Sequence, residues 1–372
     1  MPVEAGLVTM QPVHPGRIAQ ATPATPPSLL GPNWFAVVMG TGIVAVSAAT
    51  LPLELPGLRM FARLVWAAAS VLLAVLGTAY VLQFFRRRRE TLAHAADPVL
   101  AQFFGAPPMA LMTVGGGTLL LGKDWLGTPM AVGIDAALWG LGSVAGLVTT
   151  VWIPYLMITR HRVGAEAAFG GWLMPVVPPM VSAANGALLV PHLPAGEARL
   201  DALLACYAMF GVSLVATLLV VSQLWGRLIT SAPGPAALTP TLWIVLGPLG
   251  QSITAANLLA LAAAKTLPAP SATGASVFAL LFGVPIWGFA LIWVALAAAL
   301  TLRAARTGLP FGLPWWSFTF PVGTLVTATT GLATRTHSDA LVAAAVGVFV
   351  VLVVAWATVA TRTVLAVRQG AL

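Results

Sequence analysis

The sequence predicts an all-α polytopic membrane protein, with ten transmembrane helices arranged as five helical hairpins and the odd-numbered helices on the inside. Three observations carry this reading. Of 372 residues, 59% are hydrophobic and 8% charged, against about 25% charged in a soluble domain. A surface so poor in charge is solvated by lipid. Apolar windows almost free of charge recur ten times along the chain, and glycine and proline concentrate in every second window.

A spanning helix needs about 20 apolar residues. The windows cover 33–50, 63–85, 107–122, 131–158, 171–190, 202–225, 240–264, 275–302, 314–333 and 340–361. The first carries Gly40 and Gly42, and the third, short and glycine-rich, carries Pro107, Pro108 and Gly115 to Gly117. The fifth has Pro175, Pro178, Pro179 and Gly186; the seventh has Gly247, Pro248 and Gly250; the ninth has Pro321 and Gly323. The even windows are smoother runs of Ala, Leu and Val, although the fourth holds Gly140, Gly142 and Gly146 and the eighth holds Pro285.

A local design repeats in the odd windows: aromatic residues precede a Gly or Pro break. Trp34-Phe35 precedes Gly40-Thr41-Gly42, Trp172 precedes Pro175, Trp243 precedes Gly247-Pro248, and Trp315-Trp316 precedes Pro321. Proline inside a helix removes a hydrogen bond and kinks it. Backbone groups freed at membrane depth must face protein or a water-filled cavity. Five broken helices therefore belong inside, around an axis, with five smooth ones against lipid.

Residues 1–30 are proline-rich, with Pro2, Pro12, Pro15, Pro23, Pro26 and Pro27, and lack the apolar core of a signal peptide. They read as a disordered cytoplasmic lead-in. One membrane domain is expected over 31–365, and residues 366–372 form a short cytoplasmic tail. The gaps carry turn chemistry, as in Ser231–Pro235 and Pro268–Gly274, and none is long enough for a soluble domain. With the N-terminus inside, twelve Lys and Arg fall on the cytoplasmic side, among them Arg86 to Arg89, and six outside. This bias predicts both termini in the cytoplasm of a plasma-membrane protein, and an even helix count. The net charge of +8 is topology control: the basic residues sit in short gaps and build no nucleic-acid surface.

The five histidines lie in or beside loops without metal-ligand spacing, and no nucleophile–base set or nucleotide loop occurs. Neither an enzyme nor a metal or other cofactor is expected. Cys206 stands alone in an apolar run and reads as a packing residue. Asp135, near one end of the fourth helix, is the one ionisable group well inside a span, and is expected to snorkel to the interface. No acid occurs on the odd helices, which argues against a cation pathway. Neutral donors suit anions that must bind weakly enough to leave. The candidate lining is Gly40, Thr41, Gly42, Thr113, Gly116, Pro178, Ser182, Gly247, Pro248, Gln251, Pro321 and Thr324, with Asn185, Ser252 and Thr319 as further donors. A structural or receptor-like membrane protein is the alternative, although such a protein has no need of Gly and Pro in every odd helix.

Two motifs carry a resemblance. The run Pro32-Asn33-Trp34-Phe35-Ala36-Val37-Val38-Met39-Gly40-Thr41-Gly42-Ile43 resembles the first helix of the tellurite-resistance/dicarboxylate transporter family. Trp315-Trp316-Ser317-Phe318-Thr319-Phe320-Pro321 is similar to that family's Trp-Trp-x-x-Thr-Phe-Pro pattern. The family includes slow-type plant anion channels, malate permeases and sulfite efflux proteins. The resemblance implies a quasi-five-fold pore lined by the odd helices, one pore per subunit of a homotrimer, and a plug formed by a ninth-helix phenylalanine. By motif that residue is Phe320, with Phe318 the second choice; two residues apart on a helix, the two point in different directions. The Met39-Gly40-Thr41-Gly42 pattern lies nearer the malate and sulfite branch. The implied cargo is a C4-dicarboxylate such as malate, sulfite or an inorganic anion, tellurite included. A proton-coupled carrier is the alternative to a channel within transport.

Overall fold

In the computed structural model the chain is all helical over its described residues, which are 30–53, 55–161 and 163–372. The expected lead-in at 1–29 lies outside them. The principal helices are α1 (Phe35–Thr50), α2 (Leu58–Arg86), α3 (Ala106–Gly117), α4 (Thr128–Thr159), α5 (Pro178–Leu189), α6 (Glu197–Thr230), α7 (Leu246–Ala264), α8 (Ala269–Thr307), α9 (Phe320–Thr336) and α10 (Asp339–Arg368). Eight segments among the described residues are long and apolar enough to cross a membrane. The exceptions are α5, with 12 residues, and α9, with 17.

The odd helices do break, but not as kinks. Each is preceded by a 3-10 run: Pro32–Trp34, Leu100–Gly105, Gly170–Leu173, Ala236–Val245 and Leu313–Phe318. The prolines expected to kink α3, α5 and α9 instead occupy their first positions, as Pro107, Pro178 and Pro321 do, and Pro248 is the third residue of α7. There proline's missing N–H has no partner to lose, and its fixed φ suits the first helical turn. The interior prolines are Pro154 in α4 and Pro285 in α8, both in even helices. The repeated tryptophans sit in the 3-10 runs. The even helices outrun their charge-free windows, reaching 39 residues in α8, because helix continues past the first charged side chain.

Burial separates the two sets. In the spanning segments containing α1, α3 and α7, between 67% and 83% of the most apolar stretch is buried; in the five even helices the share is 11–33%. Most of α5 and α9 is buried too, 10 of 12 and 13 of 17 residues. The even helices expose Val71, Val75, Leu141, Val148, Leu219, Leu281 and Val354, a surface fit for acyl chains.

The packing is regular. Each odd helix packs on the even helix that follows it, and α1 contacts α3, α3 contacts α5, α5 contacts α7, α7 contacts α9, and α9 returns to α1. Each even helix also touches the next odd one, α10 closing on α1. Small residues permit the inner contacts: a Cβ on Gly250 would lie 2.6 Å from the Thr324 carbonyl carbon, and one on Gly42 would lie 2.7 Å from the Thr113 methyl. Cys206 is buried and free, as expected, in the second apolar cluster with Met180 and Phe210.

Asp135 does not snorkel. It is fully buried, and its carboxyl meets α3 where Gly115 leaves room: a Cβ on Gly115 would stand 2.6 Å from Oδ1. Neither carboxyl oxygen has a hydrogen-bond partner among the described residues. The side chain is too short to reach the end of a 32-residue helix whose face is packed on α3.

Candidate functional site

The inner helices enclose a cavity of about 540 Å3. Its walls come from one stripe on each of them: Ile43, Val46 and Thr50 of α1; Thr113 and Gly116 of α3 with Leu120 just beyond; Val181, Ala184, Asn185 and Leu188 of α5; Gln251, Thr254, Asn257, Leu258 and Leu261 of α7; and Phe320, Thr327, Thr330, Gly331, Thr334 and Arg335 of α9. Steps of three and four residues put each set on one helical face. Ser276 of α8 completes the lining. No acidic side chain lines the cavity, and Arg335 is its single charge.

A second, narrow space of about 30 Å3 lies beyond Phe320. Met39, Phe103, Met109, Met174, Val177, Ile244 and Trp316 make it almost wholly apolar, together with Gly247, Pro248 and Pro321. Phe320 is the one residue that borders both spaces, and it is 6% exposed. The turn before it is fixed locally, since Thr319 Oγ1 donates to the Trp316 carbonyl at 2.7 Å and Pro321 opens the helix behind it.

The expected site residues divide accordingly. Thr113, Gly116 and Gln251 line the wide cavity, and Gly247, Pro248 and Pro321 line the narrow one. Six are elsewhere. Gly40 packs on Thr319 and Trp316, and Gly42 on Thr113. Thr41 Oγ1 accepts from Trp356 Nε1 at 3.2 Å, toward α10. Pro178 seats against Gly146 of α4, and Ser182 shares a hydrogen bond with Ser143 of α4. Thr324 is fully buried and donates to the carbonyls of Leu246 and Pro321. Each belongs to an inner helix but faces a neighbouring helix rather than the axis. Phe318 stands apart from both spaces, edge-on to Trp243 and Trp315 at 5.6 and 5.7 Å.

Of the neutral donors expected, four hydroxyls are engaged locally. Thr113, Ser252, Thr319 and Thr324 all direct their protons to main-chain carbonyls of their own segments. A hydroxyl so engaged presents only lone pairs, which repel an anion. Among the described residues the donors left free along the wide cavity include the Thr330 hydroxyl, which has no hydrogen-bond partner, the side-chain amides and the guanidinium. Gln251 makes no hydrogen bond among the described residues, Asn185 Nδ2 holds the Met112 carbonyl with one of its two protons, and Arg335 lies at the far end from Phe320. Arg335 and Asn257 escaped sequence reading. The signal for Arg335 was present, since Thr327, Thr330/Gly331 and Thr334 continue the stripe that begins at Phe320.

The profile of the voltage-dependent anion channel family matches residues 30–364. The chain is 28% identical over 345 residues to the sulfite efflux pump SSU1 of Arthroderma otae, covering 90% of this chain and 89% of that relative. It is 27% identical over 313 residues to the sulfite efflux pump SSU1 of Trichophyton rubrum, covering 82% of each. An uncharacterized transporter of Methanocaldococcus jannaschii, MJ0576, is 29% identical over 297 residues, covering 79% of this chain and 81% of the relative.

Proposed function

The chain belongs to the voltage-dependent anion channel family, and on that premise we propose that it conducts small anions along the axis between α1, α3, α5, α7 and α9, with Phe320 as the plug. The observation that carries this reading is that Phe320 borders both spaces, a wide and mainly apolar cavity that carries hydroxyl, amide and guanidinium groups, and a narrow apolar one. The wide space holds a small anion together with several waters. The narrow one, at about 30 Å3, holds little more than one water, so the plug is closed.

On this reading α5 and α9, each extended by its 3-10 run, complete ten crossings in five hairpins, and the closed order of inner contacts supports a quasi-five-fold pore. The wide cavity opens to the outside, and both termini are cytoplasmic in a plasma membrane, as the Lys and Arg bias favours. The subunits form a homotrimer with one pore each, a proposal that rests on the family resemblance. Sulfite is the preferred cargo, because the similar fungal proteins are named sulfite efflux pumps; malate and inorganic anions are the alternatives. Flow is passive: no titratable acid lines the cavity, and Asp135 stands behind its wall on α4.

The test is an anion panel of sulfite, nitrate, chloride, malate and tellurite in proteoliposomes at fixed membrane potential, without ATP. Saturable or ohmic flux of at least one of these anions, with none of potassium, is expected. A monodisperse protein that moves none of them would overturn the proposal.

A further inference from the structure

We infer that the guanidinium of Arg335 is a receptor for a small oxyanion at the mouth of the wide cavity, an inference that rests on the transport reading and deepens it. Arg335 ends the lining stripe of α9. Among the described residues no carboxylate lies within 4.0 Å of it. Its partners are neutral and belong to two other helices. Nε donates to Asn257 Oδ1 at 2.8 Å, Nη2 to the Asn257 carbonyl at 3.5 Å, and Nη1 to the Ser276 hydroxyl. Asn257 is itself buried and held, its Nδ2 donating to the Ile253 carbonyl at 2.9 Å.

The consequence is a cation positioned in advance but not neutralised. A guanidinium carries five N–H donors in a rigid fork; three are engaged by α7 and α8, and two remain. A half-buried charge without a counter-ion is costly unless an anion visits it. Two residual N–H groups on a planar fork suit two oxygens of one oxyanion better than a spherical halide, and a lysine ammonium cannot reproduce that geometry.

The experiment compares wild type, Arg335→Lys and Arg335→Gln in proteoliposomes, reading the half-saturating concentrations of nitrate, sulfite and chloride. Arg335→Lys keeps the charge and is expected to leave chloride within about twofold while raising nitrate and sulfite about tenfold. Arg335→Gln raises all three. Ser276→Ala removes one strut without the charge and retains the oxyanion preference. Unchanged oxyanion-to-chloride ratios in monodisperse Arg335→Lys would overturn the inference and leave Arg335 a strut between α7, α8 and α9. Calorimetric titration of nitrate and sulfite onto the purified detergent-solubilised protein separates this from failure of the transport reading. With flux absent throughout, wild-type binding lost in Arg335→Gln still upholds the receptor, and absence of wild-type binding overturns it.

Discussion

Replacing Phe320 with alanine tests the plug most directly. The residue is 6% exposed and borders both the space of about 540 Å3 and that of about 30 Å3, so on the proposed reading its ring closes the way between them. For an anion to pass, the ring must leave that seat and give up its buried apolar contacts, a cost of about 1.5–3 kcal/mol. A closed state favoured by that amount holds flux about tenfold to a hundredfold below the plug-free level. Phe320→Ala is therefore expected to raise anion flux by that factor in a proteoliposome efflux assay, with Phe320→Leu intermediate. Phe318→Ala, whose ring packs on Trp243 and Trp315 and on the Val37, Leu313, Trp316 and Val359 cluster but borders neither space, should leave flux within about twofold. Because the ring borders open space, its removal should cost less than the roughly 3–5 kcal/mol of a packed core Phe→Ala, so the variant should remain folded. Wild-type flux from a monodisperse Phe320→Ala with a near-native melting curve would refute the plug and shift the barrier to the apolar walls beyond it.

Two further outcomes follow from packing and charge. Gly250→Ala drives a Cβ to 2.6 Å from the Thr324 main chain, so α7 and α9 must separate; a loss of about 1–3 kcal/mol is expected, read as a lowered melting temperature in detergent, while Gly274→Ala, inside α8 with open space around it, should leave the melting temperature unchanged or slightly raised. Burial holds the His94 imidazole below its ordinary value, against the opposing pull of Asp97, and its Nδ1 is buried without a partner among the described residues. A depressed histidine contributes stability that is present above about pH 6.5 and is lost as pH falls through its folded value. Protection factors over 88–105, exchange rates corrected for the intrinsic pH dependence of amide exchange, should therefore fall between pH 7 and pH 5 in wild type and not in His94→Gln.

Which helices lie inside was legible in the chain because backbone chemistry constrains it. Pro107, Pro178, Pro248 and Pro321 marked the inner set and burial follows that alternation, but as helix starts rather than kinks; the prolines inside α-helices, Pro154 and Pro285, belong to outer ones. The aromatic residues before each break were also legible, although the break they announce is a change from 3-10 to α rather than a kink. The motif singled out Phe320 with Phe318 as second choice; that Phe320 borders both spaces and Phe318 neither is a matter of side-chain position.

The facing of each side chain was decided by tertiary structure. Thr41, Ser182 and Thr324 differ little in sequence context from Thr113 and Gln251, yet they bond to other helices or to their own backbone while the latter two border the cavity. An inner helix has neighbours on nearly every side, so composition places it inside without saying which of its faces meets open space. Arg335 shows the same limit from the charged side: counting charges made it one of several outer cations, and only the meeting of α7, α8 and α9 gives it Asn257 and Ser276 as neutral partners. Sequence by itself determined solvent, helix alternation and the absence of acids on the inner helices, because these depend on local chemistry. The cavity, the place of Phe320 at both spaces and the place of Arg335 in the lining depend on rotations of five helices about their own axes, which long-range packing alone sets.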